Sequence, residues 1–211
     1  MIQFQAFKKQ YGEHLVLSIP NFEIPHGIYW LKGINGSGKS TLLRSLAGLI
    51  PFDGNIIIEN INLKKNKQQH RQMLNYGEAA PVFPTFLTGL ELIEFYVATK
   101  KGDKETCLQQ CKQLNLATDA LQKQIGSYSS GMLKKLSIVL AFTGNPKWIL
   151  LDEPLITLDI AAIEATLQLI NQYYHQGVGF ILTSHQDMDF ENQALPIQIL
   201  TTANQTINPN S

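Results

Sequence analysis

The most informative segment of the sequence is Gly33-Ile34-Asn35-Gly36-Ser37-Gly38-Lys39-Ser40. It matches the phosphate-binding pattern G-x-x-x-x-G-K-S at every fixed position. The apolar segment 28–31 before it predicts a β-strand, and the segment 41–49 after it predicts an α-helix. A strand, a glycine-rich loop and a helix in this order are the context in which the pattern binds phosphate. The sequence therefore predicts a P-loop.

Each residue type in this loop has a physical reason. Glycines let backbone N–H groups converge on phosphate oxygens, and the N-terminus of the following helix attracts an anion. Lys39 would place a positive charge on the outer phosphates, and Ser40 would offer its hydroxyl to Mg²⁺. A glycine-rich turn that binds nothing would leave the Lys-Ser pair unexplained. The predicted nucleotide-binding residues are Asn35, Gly36, Ser37, Gly38, Lys39, Ser40 and Thr41.

A second candidate site follows the apolar segment 148–151, which predicts a buried strand ending in two carboxylates. Asp152 is predicted to hold Mg²⁺, and Glu153 to orient or deprotonate the attacking water. A buried strand capped by two solvated acids is the simpler alternative, but it is a poor explanation beside a P-loop. His185 follows another apolar segment, 178–183, and could contact the terminal phosphate. An ordinary loop histidine is the alternative there.

Composition limits the class of protein. The chain has 211 residues, 44% of them hydrophobic, with 17 basic and 17 acidic side chains. Without a basic excess, no nucleic-acid partner is expected. No signal-peptide pattern and no apolar run of about 18 residues is present, so we expect a cytosolic protein that contacts a membrane only through a partner. Cys107 and Cys111 lie one helical turn apart and predict core packing rather than a metal site.

The pattern along the chain predicts an α/β fold. Alternating apolar residues near the N-terminus indicate half-buried strands, and the last third alternates strands with helices, which favours a mostly parallel sheet. Between them, residues 88–144 are mainly helical and predict a subdomain inserted into the α/β core. The polar tail 203–211 is predicted to be loose.

In this order, these elements resemble the ATP-binding cassette (ABC) family over nearly the whole chain. Segment 33–41 resembles its Walker A motif, and segment 148–153 resembles Walker B with the catalytic glutamate. His185 resembles the switch histidine, Leu158-Asp159 the end of the D-loop, and Tyr11 the aromatic residue that stacks on adenine. The resemblance implies a P-loop NTPase core with an N-terminal antiparallel β subdomain. It also implies one cassette domain over residues 1–211, with a helical subdomain at about 85–145.

The segment that resembles the family's signature motif keeps Ser129 and Gly131 and differs from the common form at three other positions. It reads Tyr128-Ser129-Ser130-Gly131-Met132, where the common family form is Leu-Ser-Gly-Gly-Gln. The helical periodicity that follows predicts a helix N-terminus at this position. In the family this tip contacts the γ-phosphate held by a second subunit, which implies nucleotide-binding roles for Ser129, Ser130 and Gly131. The Tyr-Ser-x-Gly-Met form is similar to export-type cassettes.

The Q-loop departs further from the family pattern. The alignment places Ala79 where the family has a glutamine that contacts Mg²⁺ and the membrane partner, and Glu78 is the neighbouring polar residue. Segment 84–96 then resembles the surface that docks on the membrane partner. The aromatic residues around it predict either an apolar docking patch or ordinary core packing; they are Phe83, Phe86, Phe95 and Tyr96.

The resemblance implies an ATP-hydrolysing subunit of an ABC transporter, with ATP and Mg²⁺ as cofactors and Lys39, Glu153 and His185 as catalytic residues. Its expected partners are a transmembrane permease subunit and a second ATP-binding subunit, identical or different. Its expected location is cytoplasmic, peripheral at the inner face of the cell membrane. Two alternatives stay open: a non-transport ABC-type ATPase, and a nucleotide sensor that hydrolyses weakly. A turnover assay and co-purification with a membrane protein distinguish the three.

Overall fold

Strands and helices alternate along the computed structural model, which describes residues 1–184 and 195–209. The strands of the described residues are β1 (Ile2–Tyr11), β2 (His14–Ile24), β3 (Ile28–Lys32), β4 (Asp53–Ile58), β5 (Ile61–Asn62), β6 (Leu74–Gly77), β7 (Trp148–Leu151), β8 (Gly179–Thr183), β9 (Ile197–Ala203) and β10 (Thr206–Pro209). The helices are α1 (Lys39–Leu46), α2 (Lys67–Met73), α3 (Gly89–Lys100), α4 (Lys104–Gln113), α5 (Thr118–Leu121), α6 (Ser130–Ala141) and α7 (Ile160–His175), with a 3₁₀ turn at Ile125–Ser127.

The central sheet has the strand order β10-β9-β3-β8-β7-β6. Pairs β3–β8, β3–β9, β7–β8 and β6–β7 are parallel, and β9–β10 is the one antiparallel pair among the described strands of this sheet. Helices α3 to α6 lie in the chain between β6 and β7, which pair directly, so the helical segment is an insertion between neighbouring strands. These observations confirm the predicted α/β class with a mostly parallel sheet.

The central sheet is buried on both faces. Ile149 and Leu151 of β7 belong to a hydrophobic cluster with the inserted helices and α7. Trp148 and Leu150 of the same strand belong to a second cluster with α1 and the N-terminal antiparallel sheet, whose strand order is β2-β1-β4-β5. A strand with apolar residues at every position is expected where both faces are covered. The molecule is therefore layered, with the central sheet between an antiparallel sheet and helices.

The N-terminal strand does not keep the simple alternation of its first residues. Ile2 and Phe4 are buried, but Ala6 has a positive φ of 48° and is exposed, and Phe7 takes the next buried position. The register between β1 and β4 shifts there, and a Cβ on Gly54 would lie 2.1 Å from the carbonyl oxygen of Ala6. The bulge therefore requires a residue without a side chain at position 54.

The C-terminal tail was predicted to be loose, but its described part, up to residue 209, is ordered by strand pairing. Residues 206–209 form β10, which pairs with β9, and Ile207 is only 2% exposed. The backbone N–H of Ser18 donates to the carbonyl oxygen of Gln205 at 2.6 Å, which joins this hairpin to β2. The prediction was wrong because one buried apolar side chain and main-chain pairing outweigh a polar composition.

The helical segment has its own apolar interior. Cys107 and Cys111 are 2% and 1% exposed and pack in the cluster of the inserted helices, as predicted. Within residues 1–184 and 195–209, no helix is both long enough and apolar enough to cross a bilayer.

A buried histidine predicts a pH dependence of stability. His70 of α2 is 1% exposed, and burial, with further contributions from Lys100 and Arg71, lowers its pKa from 6.5 to about 4. The folded chain therefore favours the neutral ring, whereas the unfolded chain takes up a proton near pH 6.5. Stability should fall as pH drops from 6.5 towards 4, by at most about 3 kcal/mol from this residue.

Urea unfolding at pH 7 and pH 5 measures this contribution. In a His70→Gln variant the loss of unfolding free energy between the two pH values should be clearly smaller than in the wild-type chain. His175→Gln, at an exposed position of α7, is the control and should behave like wild type. Equal losses in His70→Gln and wild type would contradict the prediction.

Tyr128 of the signature segment packs against Gly89, where a larger residue would clash with its hydroxyl. Tyr128 is 9% exposed, and its hydroxyl donates to the carbonyl oxygen of Ala120 at 2.7 Å. A Cβ on Gly89, the first residue of α3, would lie 2.2 Å from that hydroxyl oxygen. Gly89→Ala should therefore destabilise the fold by about 1–3 kcal/mol through overpacking.

A double-mutant cycle tests this coupling. The penalty of Gly89→Ala, measured by urea unfolding, should be smaller in a Tyr128→Phe background, because the clashing oxygen is gone. The same penalty in both backgrounds would show that the hydroxyl does not set the requirement for glycine.

Candidate functional site

The P-loop connects β3 to α1 and lies at the carboxyl end of the central sheet. Gly36 and Gly38 have φ angles of 79° and 99°, a region that side chains rarely allow. Ile34 is 82% exposed, and Asn35 and Ser40 are also exposed, while Thr41 is half-buried. Helix α1 begins at Lys39. The loop thus presents main-chain groups and a helix N-terminus at the surface, which suits a phosphate group.

Lys39 is held beneath this loop. It is 6% exposed, and its ammonium donates to the carbonyl oxygens of Gly33 at 2.6 Å and Ile34 at 3.1 Å. Burial lowers its pKa, while the carboxylates of Glu153 and Asp152 act in the opposite direction. The predicted phosphate-binding lysine and the two predicted acids are therefore brought together in one site.

The P-loop is supported from the C-terminal hairpin. The hydroxyls of Ser37 and Thr202 form a hydrogen bond of 2.7 Å, and Thr202 also donates to the carbonyl oxygen of Lys32 at 3.0 Å. A Cβ on Gly33 would lie 2.1 Å from the Thr202 hydroxyl oxygen. Thr202, in β9, fixes the first turn of the loop. No local signal in the sequence connects a threonine this far along the chain to the P-loop.

Asp152 follows β7 and is 2% exposed. One carboxylate oxygen, Oδ1, accepts a hydrogen bond of 2.6 Å from the Thr183 hydroxyl at the end of β8. The other, Oδ2, accepts one of 3.2 Å from the Tyr76 hydroxyl at β6. Burial and the charge of Asp152 raise the pKa of Tyr76, and the Arg44 guanidinium of α1 hydrogen-bonds the same tyrosine. Neighbouring strands thus fix the orientation of this carboxylate.

Glu153 is 6% exposed and has a positive φ of 49°, uncommon for a residue with a side chain. Its backbone N–H donates to the Thr183 hydroxyl at 2.9 Å, the same hydroxyl that donates to Asp152. Thr183 therefore fixes both acids of the turn. Such a strained backbone persists only where its surroundings hold it, and it is common at active sites.

The signature segment forms the N-terminus of α6 as predicted. Ser129 caps the helix by accepting a hydrogen bond of 3.2 Å from the N–H of Met132, and both Ser129 and Ser130 are exposed. A Cβ on Gly131 would lie 3.0 Å from the carbonyl oxygen of Thr157. Among the described residues, no hydrogen bond joins this tip to the P-loop of the same chain.

The structure leaves the predicted roles of Tyr11 and His185 untested. Tyr11 ends β1 and is 52% exposed. The Lys9 ammonium lies 4.3 Å from its ring centroid and also donates to the carbonyl oxygen of Pro51 at 2.8 Å. Lys9 therefore covers one face of the ring, and adenine stacking stays a prediction. His185 lies outside the described residues, and its role also stays a prediction.

The oxygen atoms of the site suit a Mg²⁺ ion that is bound partly by the protein and partly by a nucleotide's phosphates. In the described part of the chain, no three His, Cys, Asp or Glu side chains converge as metal ligands. The predicted ligands are one exposed hydroxyl, of Ser40, and one buried carboxylate, of Asp152. Mg²⁺ is usually bound by one or two protein oxygens together with water and substrate phosphates rather than by a protein cage.

Comparison with known proteins decides the family. A family model described as "ABC transporter" matches residues 17–156, which include the P-loop, the signature segment and both acids. The chain belongs to the ABC transporter family.

Curated relatives of this ABC protein are transport ATP-binding proteins. The lantibiotic transport ATP-binding protein SrtF of Streptococcus pyogenes is 28% identical over 92% of this chain and 84% of its own length. The ABC-type transporter ATP-binding protein EcsA of Bacillus subtilis is 30% identical over 83% of this chain and 73% of its own length. The names point to transport, and a non-transport ATPase is not favoured.

Solved structures confirm the P-loop NTPase fold. The ATP-binding subunit of an ABC transporter superposes with a TM-score of 0.89 at 23% identity, covering 100% of this chain and 90% of that one. A dimeric ATP-binding cassette in a post-hydrolysis state with ADP and phosphate has a TM-score of 0.84 at 21% identity, covering 100% of this chain and 98% of that one. The chain is the nucleotide-binding ATPase subunit of an ABC transporter, a protein that works with a membrane partner.

Several residues that shape the site escaped the sequence analysis. They have no motif of their own and act through the fold; they are Arg44, Tyr76, Lys134, Lys135, Thr183 and Thr202. The pair Lys134-Lys135 was the one signal that could have been found. The other residues of 133–142 are apolar except Ser137, and a helix that is apolar on most sides is expected to be buried.

Proposed function

We propose that ATP and Mg²⁺ bind at the P-loop of this chain and that Glu153 assists hydrolysis there. The main support is the position of Lys39. Its side chain is buried, and the negative charges of Asp152 and Glu153 favour its protonated form. A buried lysine at a glycine-rich loop and helix N-terminus, under the influence of two acids, is an arrangement suited to phosphoryl transfer to water.

The chain's own residues have distinct parts in this proposal. Lys39 binds the outer phosphates, while Ser40 and Asp152 are the oxygen ligands that would hold Mg²⁺. When bound, Mg²⁺ supplies neutralisation of phosphate charge. Glu153 orients the attacking water and accepts its proton, and His185 contacts the terminal phosphate. Tyr11 stacks on the adenine.

A second subunit completes the site in this proposal. Ser129, Ser130 and Gly131 lie at the N-terminus of α6, with both serines exposed, and the helix dipole there favours an anion. We infer that they cover the nucleotide held by a partner chain, identical or different, and that residues 1–211 act as one cassette domain with a helical subdomain at about 85–145. ATP would bind more tightly to the closed pair and so favour closure.

The membrane partner is assigned to a groove beside the Q-loop. A cavity of about 790 Å³, the docking groove, lies between α2, β6 and α3. Val82 and Phe95 line it and are 87% and 60% exposed, and the nearby Phe86 is 70% exposed. Phe83 and Tyr96 also line it, half-buried against the core. Exposed aromatic residues around a groove are typical of a binding surface.

We infer that an apolar helical segment of the permease occupies the docking groove. The chain would then lie at the cytoplasmic face of the membrane, bound peripherally through that segment.

Co-purification with the permease tests this assignment. Phe95→Glu should reduce the amount of permease recovered with the chain by about 10-fold or more, because it places a charge in an apolar interface. ATP turnover of the isolated chain should stay unchanged. Gln109→Glu, an exposed change on α4, is the matched control. Undiminished recovery with Phe95→Glu would show that the permease docks elsewhere.

A further inference from the structure

Lys134 lies one helical turn after the signature tip and points into the molecule. It is 3% exposed. Its ammonium donates to the carbonyl oxygens of Glu78 at 2.9 Å, Ala79 at 2.8 Å and Asp152 at 3.3 Å. The three donors of a lysine thus meet three acceptors, all of them main-chain groups. Two acceptors follow β6 and the third follows β7, so one side chain of α6 joins the ends of two neighbouring strands.

Among the described residues, no carboxylate hydrogen-bonds the Lys134 ammonium, which is unusual for a buried charge. Burial of a charge is costly, and buried charges are normally paired with an opposite charge. Burial lowers the pKa of Lys134 to about 8, although Asp152 and Glu153 act against this shift. An apolar side chain of the same length would avoid that cost. The cost is understandable if the carbonyl groups must be held in a fixed position.

The groups that Lys134 holds belong to two functional elements. Glu78 and Ala79 form the Q-loop turn, where the family glutamine is replaced by Ala79, which can offer only its main chain. Asp152 begins the turn that carries Glu153. The neighbouring Lys135 pairs with Asp159 at 2.6 Å and so joins α6 to the D-loop. Of these two successive lysines of α6, Lys134 therefore contacts the Q-loop turn and the Asp152-Glu153 turn, and Lys135 contacts the D-loop.

We propose that Lys134 is a positioning residue that holds the Q-loop turn and the Asp152-Glu153 turn in a fixed relation to the signature helix. It would hold the Q-loop turn through main-chain carbonyl groups, at a position where the alignment places Ala79 instead of the family glutamine. The inference rests on the proposed function, since it concerns the same hydrolytic site. Lys134 contacts neither nucleotide nor water in this proposal and acts through the position of Asp152 and Glu153.

Steady-state kinetics give the first test. Lys134→Met keeps the length of the side chain and removes all donors. Its kcat should fall by about 10- to 100-fold, the usual effect of losing a supporting group around a metal ligand. ATP affinity should stay within about threefold of wild type, and the Mg²⁺ concentration for half-maximal rate should rise. Lys134→Gln retains a hydrogen-bond donor, so its kcat should lie between those of Lys134→Met and wild type. Lys123→Met, at an exposed position, is the matched control.

Amide hydrogen exchange of the nucleotide-free chain gives a second test that does not depend on turnover. In Lys134→Met the amides of residues 77–80 should exchange faster than in wild type, whereas amides of β1 and β2 should not change. If Lys134→Met does not fold, the same two measurements on Lys134→Gln decide.

The outcomes separate this inference from the proposed function. A wild-type chain that does not hydrolyse ATP would overturn the proposed function itself. An active wild type with unchanged kcat, Mg²⁺ dependence and exchange at residues 77–80 in the folded Lys134 variants would overturn the positioning role alone. A loss of kcat that accompanies an equal loss of ATP affinity and a general increase in exchange would also overturn it, because Lys134 would then only stabilise the fold.

Discussion

Replacing Glu153 with Gln is expected to reduce ATP turnover by about 10²–10⁴-fold, the usual contribution of a general base. The carboxylate that orients and deprotonates water is lost, but the shape of the side chain and the backbone turn remain. That turn is held by the N–H of Glu153 and the hydroxyl of Thr183, and the substitution removes neither group. ATP affinity should therefore be retained, and the closed ATP-bound pair should accumulate because it no longer decays by hydrolysis.

Turnover is measured by phosphate release under steady-state conditions, and ATP affinity by equilibrium titration. Glu164→Gln is the matched control, since Glu164 is an exposed carboxylate on α7 and its loss should change neither quantity. Normal hydrolysis by Glu153→Gln would show that another group activates the water.

Replacing Lys39 with Met is expected to weaken ATP binding by about 10- to 100-fold, since hydrogen bonds from a charged group contribute about 1.5–3 kcal/mol each. The effect should be on affinity first, because the ammonium contacts phosphate before any chemistry occurs. The fold should survive, because the loss removes two hydrogen bonds to loop carbonyls and, with them, a buried charge whose desolvation opposes folding.

Isothermal titration with a non-hydrolysable ATP analogue measures the affinity, and thermal unfolding without nucleotide checks the fold. Lys123→Ala removes an exposed positive charge away from the P-loop and should leave affinity unchanged. A folded Lys39→Met chain with wild-type affinity would contradict the assignment of the phosphate site.

The parts of the site that the sequence predicts are those encoded within a few residues. The P-loop is one contiguous pattern whose glycines, lysine and serine have fixed local duties, and β3 and β7 are apolar because both faces of the central sheet are covered. The two acids at the end of β7 lie beside Lys39 for a topological reason: the carboxyl ends of parallel strands meet at one edge. These elements are therefore predictable from short segments of the sequence.

The residues that sequence reasoning missed act across long separations. Ser37 and Thr202 are 165 positions apart, and Lys134 meets the carbonyl of Ala79 from 55 positions away. Such contacts depend on the strand order and on the packing of α6, and neither can be predicted from a short segment of sequence. The same holds for the tail, where Ile207 is buried only because β10 finds β9 as a partner.

A cryo-EM structure of the Glu153→Gln chain, assembled with its permease in the presence of ATP and Mg²⁺, would show the nucleotide site itself. We expect a nucleotide whose phosphates contact Lys39 and Ser40 of one ATP-binding subunit and the Ser129–Gly131 tip of the other. Empty P-loops in an assembled, ATP-saturated complex, or signature tips that face bulk solvent, would contradict this expectation.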